Sequence, residues 1–256
     1  MSSVRAKVVR LADAEAVSAA AARDFVALSR DAVAARGSFT VALSGGSTPR
    51  RLYQLLAEAP YRSEVAWERV EFFWGDERAV PPDHPDSNYR MAAVALLEKI
   101  GAAADRIHRI QAERADRDAA ARHYQLEIAR VFGVNPDGPP PALDLVLLGM
   151  GPDGHTASLF PHTAALREGR GWVMTHFVER LGAERITLTV PVLNRAREIR
   201  FLVAGSDKAA TLRAVLEGPR DPERLPSQLI RPEAGRLVWL VDRAAAAELG
   251  TVEGRV

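Results

Sequence analysis

The chain has 256 residues, 47% of them hydrophobic, which suffices for one large core or two small ones. Its 34 basic and 33 acidic residues leave a formal net charge of +1, so no global field draws it to nucleic acid or anionic lipid, and any anion site must be local. The absence of cysteine excludes disulfides, thiol nucleophiles and cysteine-type zinc sites.

Met1 to Lys7 lack the apolar run of roughly 7–15 residues that a secretory signal needs, and no run of ~18 apolar residues occurs anywhere. The expected location is therefore cytoplasmic. A helix is expected over residues 13–36, with Val17, Ala21, Phe25 and Leu28 apolar and Gly37 closing it. Phe39 to Leu43 reads as a buried strand. Thr48-Pro49 then opens a helix with proline in its first turn, and Leu52, Leu55, Leu56 and Ala59 form its apolar stripe.

Val70 to Trp74 is the next strand. Asp86 or Ser87 caps a helix running to Ile100, and Ala120, Tyr124, Ile128 and Val131 mark another before Gly133. The Pro- and Gly-rich segment from Val134 to Pro141 is a loop. Leu143 to Leu148 is so apolar that it needs cover on both faces, as a central parallel strand has. Further strands are expected at residues 185–190, 199–204 and 236–241, with a helix over 207–216; the arrangement of residues 167–182 stays open. Alternating strands and helices give an α/β fold, with a single domain over 1–256 and a largely parallel sheet flanked by helices.

Three polar, glycine-bearing segments each follow an apolar strand, where ligands bind in open α/β sheets. In Ser44-Gly45-Gly46-Ser47-Thr48-Pro49, glycines let backbone amides approach a ligand and the helix start favours an anion. It is not a Walker A loop. Gly75-Asp76-Glu77-Arg78 offers a guanidinium that can fork onto phosphate, with acids to hold it in place. Gly149 to Pro161 carries His155, able to take a proton from water, and Asp153, placed to orient the ring.

His84, His108, His123, His162 and His176 show no ligand spacing, so no metal site is expected. Ser44, Ser47 and Ser158 lack a G-x-S-x-G elbow, so phosphate binding is a simpler role for hydroxyls than nucleophilic attack. Lysine occurs only as Lys7, Lys99 and Lys208 against an arginine background, which singles out Lys208 as a retained ammonium.

Together S-G-G-S-T-P at Ser44 to Pro49, W-G-D-E-R at Trp74 to Arg78, D-S-N-Y at Asp86 to Tyr89, G-x-G-x-D-G-H-T-A-S-L-F-P at Gly149 to Pro161, R-I-T-L-T-x-P-V-L-N at Arg185 to Asn194 and G-x-x-K-A at Gly205 to Ala209 resemble the 6-phosphogluconolactonase family, in the right order over nearly the whole chain. The resemblance implies a Rossmann-like fold, no cofactor, and hydrolysis of 6-phospho-D-glucono-1,5-lactone in the pentose phosphate pathway. It implies that His155 activates water with support from Asp153. Ser44, Gly45, Gly46, Ser47, Thr48, Arg78, Arg185 and Lys208 would hold the phosphate and sugar oxygens or offset the oxyanion. The implied partner is the phosphorylated lactone; a weak association with glucose-6-phosphate dehydrogenase is left open.

Two alternatives are weighed. Glucosamine-6-phosphate deaminases are similar in fold but are expected to continue G-H-I-A-F-N-E-P, whereas Thr156-Ala157-Ser158-Leu159-Phe160-Pro161 supplies no acid. A non-catalytic sugar-phosphate sensor would need a basic stripe or spare helix-turn-helix, and the sequence offers neither.

Overall fold

The computed structural model describes residues 6–250, so the reading of the first five residues and the ends of the expected domain lie outside the described residues. Six strands form a parallel sheet in the spatial order β1 (Lys7–Leu11), β9 (Arg236–Asp242), β8 (Glu198–Val203), β5 (Leu145–Leu148), β2 (Phe39–Leu43) and β3 (Val70–Trp74). Every residue of β2, β5 and β8 is buried. Strands covered on both faces must be apolar at successive positions, which is why β2 and β5 read as continuous apolar runs. The architecture is α/β and Rossmann-like, with helices flanking the largely parallel sheet.

Helix α1 (Ala14–Arg36) is capped by Asp13, which accepts from the Ala16 amide at 2.8 Å, and ends at Gly37 in the left-handed region at φ 80°. Helix α2 (Ser47–Leu56) buries Leu52 and Leu56 but stops short of Ala59, which is exposed. Ala59 precedes Pro60, and a residue before proline is disfavoured from helical backbone. Ser87 caps the helical stretch from Asn88 to Ile100 by accepting from the Arg90 amide at 3.1 Å.

Two buried tyrosines fix the strand ends that carry the site. The Tyr53 hydroxyl accepts from the Ser44 amide and donates to the Ser44 carbonyl, both at 2.9 Å. Tyr124 does the same at Trp74, at 2.7 and 3.0 Å. Each phenol thus satisfies a backbone donor and acceptor at the end of its strand, where an unpaired group would be costly. Burial pushes both phenols well above the usual tyrosine range, so they remain donors.

The strand expected at 185–190 belongs elsewhere. It runs from Ala183 to Leu188 as β7, between β4 (Asp76–Arg78) and β6 (Val173–Val178) in a second, antiparallel sheet. Val190 instead begins the helix Val190–Arg195, with Pro191 in its first turn. The segment 167–182, open from sequence, supplies β6 and the turn Glu179–Leu181 that leads into β7. Among the described residues, no helix is long and apolar enough to cross a membrane.

Candidate active site

Four loops gather at the carboxyl ends of the neighbouring strands β8, β5, β2 and β3. They carry Lys208, His155, the Ser44–Thr48 turn and Arg78. This is the edge where open parallel sheets bind ligands.

The loop after β5 builds a tight frame around His155. The Gly151 amide donates to the His155 carbonyl at 2.9 Å, and the Gly154 amide to the Gly151 carbonyl at 3.0 Å. Gly154 takes φ +80°, and a Cβ there would lie 2.8 Å from Leu225. Its carbonyl accepts from the Ser227 hydroxyl at 2.8 Å, while Thr211 donates to the Pro152 carbonyl at 2.6 Å. Ala157 adopts φ 47°, unusual for a residue with a Cβ and a sign that the surroundings dictate the turn.

Within that frame Asp153 Oδ1 lies 2.5 Å from His155 Nδ1. An ionised carboxylate only accepts, so Nδ1 carries the proton and Nε2 presents its lone pair; none of the described residues hydrogen-bonds Nε2. The imidazole stacks on Phe160, centroids 4.2 Å apart with 26° between planes. Burial would raise the Asp153 carboxyl, but the hydrogen bond and charge of His155, with the charge of Arg180, hold it below the usual range.

The turn after β2 opens α2 without a side-chain cap, with Gly46 at φ 105°. First-turn amides have no partner within a helix, so those of Ser47 and Thr48 point toward whatever occupies the turn. The Ser44 hydroxyl is buried without a hydrogen-bond partner. Gly45 has a plain steric reason: a Cβ there would lie 2.0 Å from Asn88 Oδ1. Asn88 Nδ2 in turn donates to the Asp76 carbonyl at 2.9 Å, and Asp76 Oδ2 accepts from the Ser158 hydroxyl at 2.6 Å. Asn88, packed against Gly45, is thereby joined to the histidine loop through a buried polar chain.

The acids beside Arg78 do not hold its guanidinium, which corrects the sequence expectation. Arg78 Nη1 donates to the Asp86 carbonyl at 2.7 Å. Glu77 accepts from the amides of Arg78, Asn88 and Tyr89 and from the Ser87 hydroxyl, within 3.0 Å, and so organises the start of the next helix. With these contacts made, the Glu77 carboxylate is taken up by the backbone rather than by the Arg78 guanidinium. Burial, stronger than these hydrogen bonds, raises the Glu77 carboxyl. Ser158, committed to Asp76, is likewise withdrawn from binding phosphate.

Arg78, Arg185 and His176 stand opposite one another across β4, β7 and β6. Burial and then the nearby Arg78 charge lower the Arg185 guanidinium, and burial lowers His176, which donates from Nε2 to the Ser158 carbonyl at 2.7 Å. Arg78 and Arg185 each donate to a backbone carbonyl, of Asp86 and Glu184, rather than to a carboxylate, and such a row suits an anion. Lys208 closes the turn Ser206–Lys208 beyond β8, with Nζ 3.1 Å from Asp207 and no contact with His155; Thr211, on the helix that follows, ties the two loops. A cavity of about 540 Å³ borders Arg185 and Phe177 but contains none of the histidine loop. Among the described residues, no group of three or more His, Asp or Glu is placed to hold a metal ion.

Sequence reasoning missed Arg180, Asn88, Tyr53 and the Asp76–Ser158 pair. Asn88 had a signal, since it lies within the D-S-N-Y motif. The others act through partners remote in sequence.

The family described as glucosamine-6-phosphate isomerases/6-phosphogluconolactonase matches residues 12–239. A 6-phosphogluconolactonase from Synechocystis is 45% identical over 218 residues, covering 85% of this chain and 88% of the relative. One from Nostoc is 44% identical over the same shares. The solved structure of 6-phosphogluconolactonase from Trypanosoma cruzi matches with a TM-score of 0.84 at 29% identity, covering 97% of this chain and 98% of its own. The chain belongs to the glucosamine-6-phosphate isomerase/6-phosphogluconolactonase family, on its lactonase side.

Proposed function

We propose that the chain hydrolyses 6-phospho-D-glucono-1,5-lactone to 6-phospho-D-gluconate in the pentose phosphate pathway, with His155 as general base and neither a metal nor a covalent intermediate. The observation that carries this reading is the Asp153–His155 pair, which leaves Nε2 as a free acceptor at the carboxyl end of a central strand. Nε2 takes a proton from water as the water oxygen attacks C1 of the lactone. The tetrahedral oxyanion collapses, the bond from C1 to the ring oxygen breaks, and the imidazolium returns its proton to that oxygen, which becomes a hydroxyl. A positioned base contributes about 10²–10⁴-fold, and a cyclic ester already prone to hydrolysis needs no larger catalyst.

The Ser44–Thr48 turn, with Lys208, Arg78 and Arg185, supplies amides, hydroxyls and positive charge for the phosphate and the developing oxyanion. Fixing the phosphate end lets water meet only the lactone carbon. Engagement of Ser158 by Asp76 supports water rather than that serine as nucleophile.

The test is acid release from freshly generated 6-phosphogluconolactone, with and without protein, beside ammonia release from glucosamine 6-phosphate. Acceleration of the first alone is expected. Ammonia release alone would move the chain to deamination, and tight binding with an unchanged lactone decay would make it a sensor.

A further inference from the structure

We infer that Arg180 is a positioning residue for His155, acting through Asp153. The inference rests on the hydrolytic reading above, in which His155 is the base. Asp153 is shared between two cationic partners: Oδ1 faces His155 Nδ1 at 2.5 Å, and Oδ2 faces Arg180 Nη2 at 2.8 Å. The second contact is one of charge, because the buried Oδ2 receives no aligned hydrogen bond. The guanidinium also lies over the Phe160 ring, 5.3 Å from its centroid, and His155 stacks on the same ring at 4.2 Å. His155, Asp153, Arg180 and Phe160 therefore close a ring of contacts.

Two consequences follow from that closure. A carboxylate held at one oxygen can swing about its broad terminal torsion, whereas one held at both cannot. The imidazole it orients is then fixed by Asp153 at its edge and by Phe160 on its face. The second consequence concerns charge. Arg180 takes part of the Asp153 charge that would otherwise act on the imidazole alone, so its removal should leave the carboxylate free to favour an imidazolium more strongly.

Other charged or titratable groups stand on the elements packed around this loop: Asp76 through Ser158, Arg185 and His176 on the antiparallel sheet, and Asp207 and Lys208 beyond β8. Of all these, Asp153 and Arg180 are the pair whose charges meet beside His155. Arg180 reaches the site from the turn Glu179–Leu181, outside the parallel sheet, and its side chain is 51% exposed. An ordinary surface ion pair at that exposure would leave the titration of His155 untouched.

The experiment uses the full chain with Arg180→Gln and Arg180→Lys. The His155 imidazole is titrated by NMR without substrate, and kcat and KM for lactone hydrolysis are followed against pH. In Arg180→Gln the His155 midpoint should rise by about one pH unit. The acid limb of kcat should move with it, a loss of about tenfold on that side, while KM stays within about threefold. Arg180→Lys, which restores the charge, should restore the midpoint. An unmoved midpoint in folded Arg180→Gln overturns the inference, as does a change confined to KM, which would make Arg180 a substrate contact. Because the titration needs no turnover, a wild-type chain without lactonase activity would sink the hydrolytic reading while the coupling is still decided.

Discussion

Gly151→Ala should disable the proposed base by displacement alone. The position does not require left-handed backbone, so alanine is conformationally acceptable there; the obstacle is space. A Cβ built on Gly151 lies 2.1 Å from both Cε1 and Nδ1 of His155 and 2.7 Å from Asp153 Oδ1, where ordinary contact begins near 3.4 Å. The ring must therefore retreat by roughly 1 Å, and Phe160 blocks one face while Asp153 ties one edge. A misplacement of about 1 Å costs on the order of 10²-fold in rate, and overpacking costs about 1–3 kcal/mol of stability. The assay is acid release under saturating lactone, with circular dichroism and thermal melting as controls. We expect kcat to fall about 10²-fold with KM little changed. A folded Gly151→Ala protein with kcat within about threefold of wild type would refute the claim that this glycine exists to admit the imidazole.

Three further outcomes are expected. His155→Ala should lower turnover about 10²–10⁴-fold while the protein stays folded; near-normal turnover would remove His155 as the base. Arg78→Ala should cut the preference for phosphorylated over unphosphorylated lactone by about 10–100-fold, the equivalent of one lost charge-assisted hydrogen bond; an unchanged ratio of kcat/KM values excludes Arg78 from the phosphate site. Glu127→Gln reports on stability: the hydrogen bond from Arg130, then that with His108, overcome burial and hold the Glu127 carboxyl near about 2, below its ordinary value of 4.5. A depressed carboxyl stabilises the fold above its unfolded value and loses that contribution as pH falls through the folded one. The melting-temperature gap between wild type and Glu127→Gln should therefore be full at neutral pH and shrink from about pH 4.5 toward pH 2; a gap independent of pH contradicts this.

What could be read from sequence follows from what produces a local signal. Strands β2 and β5 were visible because burial on both faces forces apolar residues at successive positions. The antiparallel sheet was not: β4 is three charged or polar residues, Asp76 to Arg78, and β6 is only partly buried, so neither shows a run or a clean alternation. The distinction extends to the site. Glycines, the aspartate and the histidine of the loop after β5 lie within a few residues of each other and could be weighed together. The Asp76–Ser158 bond spans 82 residues, and Tyr124 reaches Trp74 across 50, with nothing at either end to announce the partner. Tyr124 shows the limit well: its apolar position on a helix was correctly placed, yet the hydroxyl that completes the end of β3 left no trace in the periodicity.

Arg78 differs from its sequence expectation for a related physical cause. Adjacent acids in Gly75-Asp76-Glu77-Arg78 suggest a local ion pair, but in a strand successive side chains point to opposite faces, and neighbours in sequence are poorly placed to pair. Glu77 turns to the start of the helix at Asn88, Asp76 to Ser158, and Arg78, opposite Arg185, to the Asp86 carbonyl. In the proposed reaction that pair of guanidiniums would meet the phosphate or the oxyanion. A salt bridge within the motif would have spent the charge before the substrate arrived.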